Sequence, residues 1–100
     1  MTGIFVPSRA ACDPSGLVNS GIFGLVFEAI MAIAISHILS NSELMIQMQI
    51  EHPGSASLGL TYTVSGSAER LTRDIARAES RVIDQVGEIV SRASATFLLG

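Results

Sequence analysis

The sequence predicts an α+β fold in which an antiparallel sheet wraps around one long central helix. Three observations carry that reading. The stretch from Gly21 to Leu39 is almost uninterruptedly apolar and holds a single charged residue, Glu28. Segments further along alternate apolar and polar residues with the period of two that a half-buried strand needs. Clusters of Gly, Pro, Ser and Asn separate these segments, and such clusters favour turns.

Each element follows in order. Ile4-Phe5-Val6 is a short apolar strand that ends at Pro7, and Asp13-Pro14-Ser15-Gly16 is a turn cluster. Leu17 to Gly21 leads into the helix, with Asn19 or Ser20 as its cap. The helix is expected to end near Ser40-Asn41-Ser42. Between Met45 and Glu51, Ile46, Met48 and Ile50 share one face, while Gln47, Gln49 and Glu51 share the other. This is a half-buried strand, and His52-Pro53-Gly54-Ser55 breaks it. Leu58, Leu60, Tyr62 and Val64 line one face of a second strand that Thr61 and Thr63 favour, and Ser65-Gly66-Ser67 punctuates again. From Ala68 to Ala95 two readings compete. Leu71, Ile75, Ala78, Val82, Val86, Ile89 and Ala93 step by three or four, as on an amphipathic helix. The same stretch also divides at the hairpin-like Asp84-Gln85-Val86-Gly87 into strands Asp74 to Ile83 and Glu88 to Leu98. On that division Ala76, Ala78, Ser80 and Val82 face one side, and Ile75, Arg77, Glu79 and Arg81 the other. Gly87 would cost a helix interior about 1 kcal/mol.

One hundred residues suit one domain spanning residues 1–100, or one subunit of an assembly. The chain is 48% hydrophobic and 15% charged, with a mean hydropathy of +0.48. A short chain with this much apolar surface is expected to bury part of it between subunits. The net charge of −3 and the lack of a basic cluster argue against nucleic acid as a partner. Cys12 is the only cysteine, so no internal disulfide forms and no metal-binding spacing exists; a reduced, cytoplasmic setting fits. No basic stretch followed by an apolar core marks a signal peptide. The run from Gly21 to Leu39 approaches the roughly 17–20 residues of a membrane span. A carboxylate at its centre would cost on the order of 3 kcal/mol to insert, and no Lys or Arg closely flanks it. A core helix is the better reading.

Glu28 is therefore the first candidate for chemistry. In apolar surroundings an ionised carboxylate loses solvation, so its pKa is expected to tend upward. His37 reads as a helix-end residue, His52 as a strand-end surface residue with lining the site as its lesser alternative, and the methionines as core. Arg70, Arg73 and Arg77 read as a solvated face.

Two segments carry a resemblance to the hotdog-fold acyl-CoA thioesterases of the PaaI-like type. The first runs Asp13-Pro14-Ser15-Gly16-Leu17-Val18-Asn19-Ser20-Gly21-Ile22, followed by Leu25 and Glu28. It is similar to the family pattern of Asn, any two, Gly, any two, His-Gly-Gly, with an acidic residue seven positions after the second Gly. Glu28 falls at that acidic position. The second, Asp84-Gln85-Val86-Gly87-Glu88-Ile89-Val90-Ser91-Arg92-Ala93-Ser94-Ala95-Thr96-Phe97, looks like the family's closing hairpin. Nearly the whole chain is covered, without the opening helix common in relatives. The resemblance implies strands rather than helix for Asp74 to Leu98. The chain departs from the pattern at Asp13, where the family has asparagine, at Asn19, where it has histidine, and at Ser20, where it has glycine. A Ser or Thr often found on the facing strand falls near Met45.

What the resemblance implies is hydrolysis of an acyl-CoA or acyl-carrier thioester by a homodimer or homotetramer. Glu28 serves as base or nucleophile, and the backbone N–H of Ser20 or Gly21 polarises the carbonyl, aided by the helix dipole. Asn19 offers an amide donor, and Asp13 holds water or orients a partner. No cofactor is implied, since coenzyme A enters only as part of the substrate. A second reading is a non-catalytic hotdog protein that binds acyl thioesters or serves assembly, with Glu28 paired across a dimer to Arg77 or Arg81. A dehydratase or hydratase of this fold would need a histidine ahead of the helix, and none stands there.

Overall fold

Helix α1, Ser20–Ser36, is apolar on almost every face and follows Asn19, which stands in extended backbone. Phe23, Phe27, Met31, Ala34 and Ile35 are its buried positions, steps of four and three that keep them on one face. Phe23 stacks on Phe27 with ring centroids 6.3 Å apart. The structure, a computed structural model, describes residues 2–37 and 43–99, so the expected helix end at residues 40–42 lies outside the described residues.

Five strands wrap this face: β1, Thr2–Phe5; β2, Glu43–Glu51; β3, Tyr62–Arg70; β4, Ile75–Ile83; and β5, Ile89–Leu99. They form one sheet in the order β1-β3-β4-β5-β2, and every pairing is antiparallel. This is the predicted α+β hotdog arrangement. The ambiguous Ala68–Ala95 stretch is two strands, as the resemblance implied. Ala76, Ala78, Ser80 and Val82 of β4 are buried toward α1, while Arg77, Glu79 and Arg81 face outward. The turn between β4 and β5 holds the division in place. The Asp84 carboxylate accepts hydrogen bonds from the N–H groups of Val86 and Glu88, at 3.0 and 2.9 Å. Gly87 takes a positive φ of 86° there, which glycine alone adopts without strain.

Two sequence expectations need correction. Ser65-Gly66-Ser67 does not punctuate, because β3 runs through it to Arg70. Gly66 is there for a close approach: a Cβ on it would sit 3.2 Å from Cγ1 of Ile30 on the helix. Gly66→Val is therefore expected to overpack this contact and to cost about 1–3 kcal/mol, read as a lower denaturation midpoint. Gly66→Ala should cost less, because Cγ1 of Ile30 needs to give by only a few tenths of an ångström. The second correction concerns Leu58 and Leu60, which precede β3 rather than belong to it and are 38% and 48% exposed. The backbone turns there instead, with Leu58 N–H donating to Gly16 O at 2.8 Å and Ser57 N–H to the Tyr62 hydroxyl at 2.8 Å.

The two edges of the sheet are β1 and β2. Among the described residues, no helix is long and apolar enough to cross a membrane.

Candidate active site

Asp13 builds the approach to the helix. Its Oδ1 accepts from Ser15 Oγ at 2.5 Å, from Ser15 N–H at 2.9 Å and from Leu17 N–H at 3.1 Å. The Ser15 hydroxyl, followed by the Leu17 amide, holds its carboxyl below the usual carboxylate range. A depressed folded-state pKa contributes stability above the ordinary value of 3.8, and that contribution is lost as pH falls through the folded value. Asp13→Ala is expected to speed amide hydrogen exchange at Ser15 and Leu17 at neutral pH. Below that window the variant and the parent should exchange alike.

Asn19 is the residue before the helix, and its side chain makes no capping hydrogen bond. Its carbonyl takes the Ile22 N–H at 3.0 Å. The N–H groups of Ser20 and Gly21 therefore open α1 without intrahelical acceptors, at the positive end of the helix dipole. Both residues are exposed.

Glu28 lies seven residues past Gly21. That is nearly two turns, so the two share a helix face about 10 Å apart along the axis. Contrary to the sequence expectation, the chain itself does not desolvate this carboxylate: Glu28 is exposed, about 100° around α1 from Phe27. Leu25, one turn before it, is 64% exposed, and Ile33 is 45% exposed. The helix thus presents an outward apolar face with one carboxylate that the described residues leave uncovered. Arg77 and Arg81 do not approach Glu28 within the protomer, since they point outward from the far side of the sheet. Arg77 pairs there with Glu79 at 3.0 Å. A polar groove crosses that outer face beside Arg77, Arg81 and Arg92. None of Asp13, Asn19, Ser20, Gly21 or Glu28 lines it.

The helix meets the edge strand β2 on the Glu28 side. A Cβ on Gly24 would lie 3.8 Å from Cδ1 of Ile50, and Glu28 is one turn further along the same face. Just past β2, His52 packs its ring against Phe23 of the first helical turn, with centroids 5.4 Å apart. Its Nδ1 lies 2.9 Å from Oγ of Ser91, which is fully buried. The sequence reading left this pair unseen, because the two residues stand 39 apart. The signal for it is the register: Glu51 pairs with Arg92 across β2 and β5, so the next step brings His52 alongside Ser91. Met45, at the position of the family's facing hydroxyl, is partly buried in the core.

No family profile matches the chain, and no curated protein matches its sequence. Solved structures do. Thioesterase superfamily member 2 from Mus musculus superposes with a TM-score of 0.88 at 14% identity, covering 99% of this chain and 80% of that one. A phenylacetic acid degradation-related protein from Ralstonia eutropha gives 0.84 at 21% identity, covering 97% and 74%. A Streptococcus mutans protein bound to acetyl-CoA gives 0.83 at 20% identity, covering 99% and 79%. At these identities the likeness establishes the fold, which is the hotdog fold of thioesterase structures.

Proposed function

We propose that this chain hydrolyses an acyl-CoA or acyl-carrier thioester as a homo-oligomer, with Glu28 as general base or nucleophile. The observation that carries the reading is the single carboxylate on the exposed apolar face of α1, in a fold shared with thioesterases and with a protein bound to acetyl-CoA. Hydrolysis needs a group to activate water or attack the carbonyl, and donors for the oxyanion that develops. Glu28 supplies the first, and the open N–H groups of Ser20 and Gly21 supply the second. About 10 Å of helix separates them in one copy, so the donors and the carboxylate that act on one thioester come from two copies facing each other. Such a pairing would also cover Leu25, Ile33 and the long edge of β2, where Ile46 is 56% exposed, surfaces that monomeric proteins rarely leave bare. Asn19 contributes an amide donor beside the carbonyl, and Asp13 acts at one remove by fixing the turn that delivers Asn19.

The test is steady-state hydrolysis of a panel of acyl-CoA thioesters by purified protein, read as thiol release. Turnover of some member is expected, and its absence across a broad panel would contradict the reading. Asn19 and Ser20, where the family pattern has His-Gly, favour one alternative: a non-catalytic protein that binds acyl thioesters. That alternative predicts calorimetric binding without turnover.

A further inference from the structure

We infer that His52, mounted on Ser91, is the proton donor to the leaving sulfur; this rests on the thioesterase reading above. The mount is defined atom by atom. The Ser91 hydroxyl has one proton, and Glu51 O lies 3.1 Å from its Oγ while His52 Nδ1 lies 2.9 Å away on the other side. Both contacts are hydrogen bonds only when Oγ–H donates to the carbonyl and Nδ1–H donates to Oγ. A proton therefore sits on Nδ1, and Nε2 is the nitrogen free to gain or lose one. Protonating Nε2 keeps the Nδ1–H···Oγ bond intact, so the ring gains and loses a proton without leaving its seat. The seat is itself fixed. Gly54 N–H donates to Val90 O at 3.0 Å, and a Cβ on Gly54 would meet Val90 Cα at 3.3 Å. Ser91 is fully buried, and Phe23 backs the imidazole face. His52 itself is exposed.

Phe23 belongs to the helical turn that Ser20 and Gly21 open. The imidazole thus packs against a side chain of the same helical turn that presents the donors. Glu28 of the facing copy takes a proton from water as the water oxygen bonds to the carbonyl carbon. The carbon–sulfur bond breaks, and Nε2–H of the imidazolium passes its proton to the departing thiolate. The proton on the Glu28 carboxyl then returns to Nε2, which balances thioester and water against acid and thiol. An imidazole at this place supplies the acid function that Asn19, at the family's histidine position, lacks. Glu51 and Arg92, the residues next to His52 and Ser91 in the chain, pair with each other at 2.9 Å.

The experiment compares wild type, His52→Gln and Ser91→Ala on two substrates, an alkyl acyl-CoA and an aryl thioester whose thiolate leaves unprotonated. On the alkyl thioester, His52→Gln is expected to lose about a hundredfold in kcat with KM unchanged. On the aryl thioester it should match the wild type. Ser91→Ala should show a smaller loss of the same kind. Nitrogen-15 NMR of the wild-type imidazole should show the Nδ1–H tautomer, mixed in Ser91→Ala. Equal losses on both substrates, or no loss from His52→Gln, would overturn the assignment and leave the hydrolase reading standing. A wild type inactive on both substrates would overturn both.

Discussion

Glu28→Gln is expected to lower kcat for an acyl-CoA thioester by about a thousandfold, within the usual range for loss of a general base. The amide has nearly the shape of the carboxylate but neither takes a proton from water nor attacks a carbonyl. Because Glu28 is exposed on the protomer and makes no described hydrogen bond or ion pair, the substitution should leave the folded chain intact. Thermal unfolding of variant and parent should coincide while thiol release collapses. A variant that unfolds early would instead mark Glu28 as a structural partner across the assembly.

Phe27→Ala carries the largest expected stability effect. Phe27 is fully buried, stacks on Phe23 at 6.3 Å and belongs to the core cluster with Met31, Val64 and Phe97. Removing a buried phenylalanine ring costs about 3–5 kcal/mol, against a total of about 5–15 kcal/mol for a domain of ordinary stability. Thermal or urea unfolding at fixed protein concentration should show a loss of that size. Leu25→Ala on the same helix should change the protomer far less, because Leu25 is 64% exposed. Under the proposed homo-oligomer, any loss it does cause should depend on protein concentration, since an assembly interface responds to mass action.

Much of the fold was legible because the local patterns and the tertiary packing agree. The apolar run around Glu28 marks α1 as the helix that the sheet covers. The alternation in β4 separates alanines from arginines across the sheet. Agreement failed where packing overrode local chemistry. Gly66 reads as a turn residue, but it is a thin place in β3 that admits Ile30. Leu58 and Leu60 continue an apolar alternation, but Gly59, with a φ of 77°, turns the chain beneath them. Glu28 was legible as an anomaly of composition, whereas its exposure was not. An apolar run gives the neighbours along the chain and says nothing about which helix face the sheet leaves open. The His52–Ser91 contact was the least legible, because it depends on the register of two strands far apart in sequence.

The central claim is that the carboxylate on the open face of α1 does chemistry. It is tested most directly by measuring acyl-CoA turnover and calorimetric acyl-CoA binding on the same preparations of wild type and Glu28→Gln. The account predicts turnover with binding in the wild type, and binding without turnover in the variant. Binding without turnover in the wild type, or equal turnover in both proteins, would contradict it.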